Sequence, residues 1–392
     1  MFNELLSSPL NQGKASVARL QVRAVTTPDE IERLRPCWEA LNWHPNVQID
    51  FFCEINKLWK NLASPHILVL ERDGKPQGLL VGRITTQAFK CNLGYKSVSL
   101  GQVRQLTILY GGVLGCDDLS CAQLMIGELN RMLENREVDA VFFNLLDTAS
   151  HLFRIATRNP GFFVRDHLVT PQLHWKVGLP ATLTGFLQRL NKKHRYWLKR
   201  LEKQLDKEFP GRVSFRSLTD GHQRKEMMND VECVARKTYQ RRLGVEVNNV
   251  ADDALEEKMR WERVYVIYIA NRPCAFWMGR LYKGTFYSDA TGYDPEYRKH
   301  ELGTVVFMRM IDRLCREGVE TIDFGLGDAL YKQRFGDQSW SEAGVRIFSP
   351  SRHGVMINLA RTSLEGSALC LKFLLDCVHL KQRLKAFWRK RL

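Results

Sequence analysis

The sequence predicts an α/β protein made of two related halves in tandem, each a mixed central sheet flanked by helices, with a basic helical tail. Three observations carry this. The stretch ILVLERDGKPQGLLVGR at 67–83 returns as VYVIYIANRPCAFWMGR at 264–280, keeping a basic residue before Pro, five residues, then Gly-Arg. Further on, DAVFFNLLD at 139–147 aligns with ETIDFGLGD at 320–328, so the repeat continues into a second strand. Finally, residues 285–336 read as an alternating strand, a tight basic turn with one Gly, an amphipathic helix, a second strand and a polar loop. A chain of 392 residues is long enough for two domains, at roughly 100 to 200 residues each. The expected divisions are 18–172, 173–350 and a tail at 351–392.

The elements follow in order. A strand is expected at 20–25, and Thr26, Thr27, Pro28 and Asp29 mark a helix start near Glu30. A second helix is expected at 49–61. Strands at 67–70 and 79–84 form a hairpin turning at Asp73-Gly74, a dipeptide suited to positive φ. A later strand leads into GGVLG at 111–115, before a helix at 119–133, a strand at 140–145 and a short helix at 152–157. A linking strand lies between Thr170 and Pro180. One long helix is then expected from Thr182 or Thr184 to Glu208, with Phe186, Leu187, Leu190, Trp197, Leu201 and Leu205 as its apolar stripe, ending at Pro210-Gly211. Next come a strand ending at 216–219 and helices at 223–241 and 252–260.

Composition narrows the function. No apolar run reaches the roughly 20 residues that span a bilayer, and 1–20 lacks the long apolar centre of a signal peptide, so a cytoplasmic location is expected. The ten cysteines form no Cys-x-x-Cys and no Cys/His cluster with zinc spacing, so neither disulfides nor a metal are expected. The net charge of +15 is uneven: residues 351–392 hold nine Lys or Arg against Glu365 and Asp376, and 189–207 hold eight against Glu202 and Asp206. The second cluster reads as the solvated face of a helix, with RNA binding as the alternative. In the tail, Leu369, Phe373, Leu374, Cys377, Leu380, Leu384, Phe387 and Trp388 recur at helical spacing among basic residues. That pattern fits either packing on the core or lying on an anionic membrane surface.

The chemistry concentrates in the second half. Arg298, Lys299 and His300 precede Leu302, Gly303 and Thr304, where the helix begins. Free N–H groups at that helix start, with the positive end of its dipole, suit a diphosphate, and Gly303 permits close approach. The first half differs at both sensitive places. Phe142 stands where the second half has Asp323, and GGVLGCDDLS, with Asp117 and Asp118, replaces the basic turn. Asp323 interrupts an apolar strand between Ile322 and Phe324, so it is paired, exposed or in a cleft.

The strings YDPEYRKHELGT, ETIDFGLG and ALYKQRFG resemble the BioF2-like, CelD-like acetyltransferase domain of the GNAT superfamily, which is found with bacterial exopolysaccharide and cellulose genes and is related to the FemAB aminoacyltransferases. The resemblance covers about 180–345 and departs from the usual Arg/Gln-x-x-Gly-x-Gly/Ala, since Arg298 lies five residues before a single Gly303. It implies tandem GNAT-like halves with an acyl-CoA, such as acetyl-CoA, bound in the second. In this reading the diphosphate rests on Arg298, Lys299, Leu302, Gly303 and Thr304, and the acyl carbonyl bonds a strand N–H near Asp289, Ala290 and Thr291. Asp323 is then the base or orienting group and Tyr331 the donor to the leaving thiolate. Lys332, Arg334 and Arg241 would bind an anionic acceptor, for instance a sugar-nucleotide or polysaccharide precursor. No Gly-x-Ser-x-Gly and no P-loop is present, which favours direct transfer to an amine or hydroxyl. Two alternatives stay open: a FemAB-like enzyme taking its acyl group from charged tRNA, and a non-catalytic, membrane-associated GNAT fold.

Overall fold

The computed structural model describes residues 20–59, 62–93, 96–115, 118–218, 224–238 and 259–377. Its strands join one continuous mixed sheet in the order β1-β2-β3-β4-β5-β12-β6-β11-β10-β9-β8-β7. The first half supplies β1 (Leu20–Val25), β2 (Ala63–Arg72), β3 (Lys75–Leu93), β4 (Lys96–Gly115) and β5 (Ala140–Asp147). The second supplies β7 (Val213–Leu218), β8 (Glu262–Ile269), β9 (Arg272–Tyr282), β10 (Thr285–Tyr293) and β11 (Thr321–Leu326).

The sheet repeats with the sequence. Neighbouring pairs are antiparallel from β1 to β4 and again from β7 to β10, and each run ends in a parallel pair, β4 with β5 and β10 with β11. The two remaining strands exchange places. β6 (Gln172–Gly178), which leaves the first half, pairs with β11, while β12 (Gln338–Phe348), which leaves the second, pairs with β5. β6 and β12 also pair with each other, which joins the two runs.

Helices cover both faces. In the first half, α1 (Pro28–Arg33), α2 (Arg35–Leu41) and α3 (Ile49–Leu58) bury Ile31, Trp38 and Phe52 against one face, and α4 (Leu119–Glu134) with α5 (His151–Arg158) covers the other. In the second, α6 (Leu183–Gln188), α7 (Lys192–Glu208) and α9 (Leu302–Arg316) share one core, and α8 (Arg224–Ala235) packs on the opposite face. Two shorter roles fall to α10 (Leu330–Phe335), which closes the loop after β11, and α11 (Arg352–Cys377), whose Ile357 and Leu364 pack beside Phe89 and Phe348.

Several expectations need correction. The long helix at 182–208 is two helices, because the Asn191 side chain accepts from the His194 N–H and starts α7 afresh. The stretch Arg35–Leu41, unassigned from sequence, is helical behind Pro36, and the helix begun at Ile49 ends at Leu58. The expectation of no disulfides fails as well: Cys121 is disulfide-bonded, since motif spacing says nothing about thiols that the fold brings together. Arg241, residues 252–258 of the helix expected at 252–260, and the tail beyond Cys377 lie outside the described residues. No described helix is long and apolar enough to cross a membrane.

Candidate active site

β10 and β11 pair in parallel only at Thr285–Thr321, Phe286–Ile322 and Tyr287–Asp323. Each strand then carries a bulge, β10 between Ser288 and Ala290 against β9, and β11 between Asp323 and Gly325 against β6. A bulge bends its strand away from the local ladder. The pairing therefore ends at Asp323, and side-chain alternation assigns the two faces there. Ile322 and Phe286 enter the core under α9, so Asp323 and Tyr287 face the opposite side.

On the α9 side, a cavity of about 500 Å³ runs from Thr291, Gly292 and Tyr293 on β10 to Arg298, Gly303 and Thr304 at the start of α9, over Trp277, Phe307 and Tyr331. The turn before α9 is a 3₁₀ segment (Pro295–His300) held by the Asp294 carboxylate, and Glu301 follows in the left-handed region at φ 49°. Among the described residues no side chain caps the α9 N-terminus. Its first N–H groups thus face the cavity mouth without a built-in anion, and a Cβ on Gly303 would meet only the Tyr293 ring at 3.6 Å. Gly292 is needed for packing, since a Cβ there would stand 2.7 Å from Phe276 and 2.8 Å from Thr238.

On the other side lies a polar cluster contributed by both halves. His174 on β6 is clamped between two carboxylates, its Nε2 2.6 Å from Asp323 Oδ1 and its Nδ1 2.9 Å from Glu342 Oε2. All three are almost fully buried. The Trp340 ring stacks on the imidazole at 4.3 Å and donates to Glu342 Oε1, and the Tyr110 hydroxyl lies 3.4 Å from His174 Nδ1. Burial alone would lower the His174 pKa, but the bonds to Asp323 and Glu342 outweigh it and the net shift is upward. A doubly protonated imidazole could donate from both nitrogens, which would let two carboxylates share a buried site. The other Asp323 oxygen, Oδ2, accepts no hydrogen bond among the described residues and has the Lys176 ammonium 3.7 Å away. Lys176 in turn stands over the Trp340 ring at 5.0 Å and the Trp43 ring at 5.8 Å.

Residues 42–46 of the first half fasten this cluster. The Tyr287 hydroxyl donates to the Trp43 carbonyl at 2.7 Å, Arg280 to Asn46 at 2.9 Å, and Lys283 to the Asn42 carbonyl at 2.7 Å. His44 is held neutral, its pKa well below the usual range through burial and then the cations Arg280, His174 and Lys176; its Nδ1 accepts from the Asn46 N–H. Gly111 on β4, at φ +79°, is required here, because a Cβ would come within 2.5 Å of His44.

The residues singled out from sequence separate into groups. Thr291, Arg298, Gly303, Thr304 and Tyr331 line one cavity. Leu302 is instead fully buried in the core, Lys299 is exposed and pairs with Glu208, and Ala290 packs toward α8. Asp289 pairs with Arg280 and Asp323 with His174, so the two acids lie in separate interactions. Tyr331 is pushed up to about 12 by burial, which keeps its hydroxyl protonated. Lys332 does not face an acceptor: it is buried, and its ammonium donates to the carbonyls of Phe324, Gly325 and Leu326 at 2.7, 3.3 and 2.6 Å. Arg334 lies over the Trp197 ring at 4.9 Å. His174, Glu342, Tyr110 and Lys176 were not anticipated, since a single His or Lys in an alternating strand carries no signal by itself.

The sequence of residues 192–333 matches the family described as Acetyltransferase (GNAT) domain. No curated protein matches the chain significantly. Among solved structures, FemX superposes with a TM-score of 0.51 at 11% identity, over 83% of this chain and 97% of its own. A tandem GNAT protein from the clavulanic acid biosynthesis pathway gives 0.47 at 11% identity, over 85% and 99%, and L-PGS from Bacillus licheniformis gives 0.46 at 12%, over 88% and 98%. At such identities the likeness is one of fold. Residues 192–333, in the second half, match a GNAT-type acetyltransferase domain, which supports an acyltransferase, and the fold that carries them resembles that of FemX.

Proposed function

We propose that the protein transfers an acyl group from acyl-CoA, acetyl-CoA in the simplest case, directly to an amine or hydroxyl entering from the side of the His174 cluster. One observation supports this above all: the open helix start and cavity lie on one face of the sheet, the Asp323 oxygen beside the Lys176 ammonium on the other, and β10 and β11 part between them. In this reading the α9 N-terminus and Arg298 hold the diphosphate, with Gly303 leaving room beside them. Backbone N–H groups of 289–291 polarise the carbonyl, Asp323 takes the proton of the incoming nucleophile, and Tyr331 supplies one to the leaving thiolate. His174 orients Asp323 through its Nε2 contact.

The resemblance to domains of exopolysaccharide genes makes a glycan precursor the proposed acceptor. A second reading, transfer from charged tRNA, draws on the FemX-like superposition across both halves. Calorimetric titration of the full chain with acetyl-CoA, and separately with charged tRNA, distinguishes them. Saturable acetyl-CoA binding that weakens in Gly303→Val supports the proposal. Binding of charged tRNA alone, or equal acetyl-CoA affinity in both proteins, rejects it. A contact of the tail with anionic lipid remains part of this proposal, and is tested by liposome sedimentation of the full chain against a truncation at Gly366.

A further inference from the structure

Two lysines end near the point where β10 and β11 part, and their environments are opposite. Lys332 spends its donors on three carbonyls, so its amine has no route to an electrophile. Lys176 makes no hydrogen bond to the protein among the described residues. It is the strand partner of Asp323 in the β6–β11 ladder, and its side chain keeps 26% of its surface exposed. Its ammonium is 3.7 Å from the Asp323 oxygen that accepts no hydrogen bond among the described residues, at the last residue before β10 and β11 separate. The ammonium also stands over the rings of Trp43 and Trp340, one from each half of the chain. An amine beside the group assigned as base, at the gap assigned to the acyl carbonyl, has the placement of an acceptor.

We propose that Lys176 is a site of self-acylation, a second activity of the same centre, used when no external acceptor fills the cleft. It rests on the acyl-CoA reading above. The Lys176 ammonium gives one proton to Asp323 Oδ2, the free amine attacks the thioester carbonyl, a C–N bond forms and the C–S bond breaks. The CoA thiolate leaves and takes a proton from Tyr331, the second amine proton is lost through solvent to the Tyr331 phenolate as the amide forms, and the Asp323 proton passes to water. The product is a neutral amide at Lys176 and free CoA, with no oxidant or further reactant involved. The modification removes the cation paired with Asp323 and lengthens a side chain that already stands over two tryptophans. Acylated protein therefore has a narrower, more negative cleft, and loses turnover toward external acceptors.

The experiment incubates the purified full chain with acetyl-CoA at neutral pH, without acceptor, and follows intact mass and peptide mapping, with calorimetry of acetyl-CoA binding in parallel. The expected result is a gain of about 42 Da per chain, mapped to Lys176. Lys176→Arg abolishes it with binding retained, and Asp323→Asn slows it by about 10-fold or more. Acetyl-CoA binding without modification of Lys176 overturns this inference and leaves the acyl-CoA reading intact. Absence of binding overturns both. Label spread over exposed lysines such as Lys192 and Lys299, equally in wild type and Asp323→Asn, is solution chemistry and also overturns the inference.

Discussion

The two halves run the same chain path to different ends. In each, a parallel strand pair precedes or follows a helix that starts at the same point of the repeat, α4 in the first half and α9 in the second. At α4 the Asp118 carboxylate accepts from the Cys121 N–H at 2.8 Å, so the helix carries its own anion. At α9 the cap residue Glu301 sits in the left-handed region and makes no side-chain bond to the helix. The same dipole is satisfied internally in one half and left open in the other. The strand after the helix differs in parallel. Phe142 takes the place of Asp323 and lies under the Arg346 guanidinium at 4.0 Å, a packing contact, whereas Asp323 organises His174, Glu342 and Lys176. The first half has not become idle. Trp43, His44 and Tyr110 form part of the wall against which the second half works.

The sharpest way to break this comparison is Asp323→Asn. Turnover should fall by about 10² or more while acetyl-CoA affinity stays nearly constant, measured by steady-state kinetics and calorimetry. Retained turnover would remove the main chemical difference between the halves. Next in size are changes at the helix starts. Gly303→Val should weaken acetyl-CoA binding about 10-fold or more without unfolding the protein, because the added Cβ meets only Tyr293 at 3.6 Å. Asp118→Ala should cost about 1 kcal/mol of stability and leave binding unchanged. If Asp118→Ala altered acetyl-CoA affinity instead, α4 would have to be counted as part of a ligand site.

Lys332→Met tests a different contrast, between structural and catalytic lysines. Removing a buried ammonium that satisfies three carbonyls should destabilise the protein by about 1 to 3 kcal/mol in chemical denaturation. Tyr331→Phe should change turnover while leaving stability close to wild type, and identical kinetics would exclude it from proton transfer. The smallest effect concerns pH. His174 has a raised pKa in the folded state, so its clamp contributes fully below the ordinary value near 6.5 and is lost as pH rises through the raised folded value. Melting temperature should therefore decline as pH rises above about 6.5 in wild type and less in His174→Asn. Parallel melting curves against pH would show that the clamp is not charged.

Much of the fold was legible because its signals are local. The hairpin at Asp73-Gly74, the capped start of α1 at Thr27, and the apolar stripe of α9 each follow from residues within one turn or one helix of each other. The break at Asn191 was missed because an apolar stripe continues across it, and only the cap bond to the His194 N–H reveals the new start. The site was legible on the cavity side, where Gly303, Thr304 and Arg298 are neighbours in sequence, and not on the cleft side. His174 and Asp323 are separated by 149 residues and His174 and Glu342 by 168.

The sequence by itself determined two α/β repeats, their unequal chemistry and the helix start that favours an anion, since these depend on side-chain alternation, turn residues and backbone polarity along short spans. The tertiary structure alone decided that β6 and β12 exchange between the repeats, and with them came His174, Lys176, Trp340 and Glu342 to the single buried carboxylate of β11. That choice is a matter of register between strands far apart in the chain. A buried Asp demands partners for its charge, and which residues answer depends on which strand lies beside it.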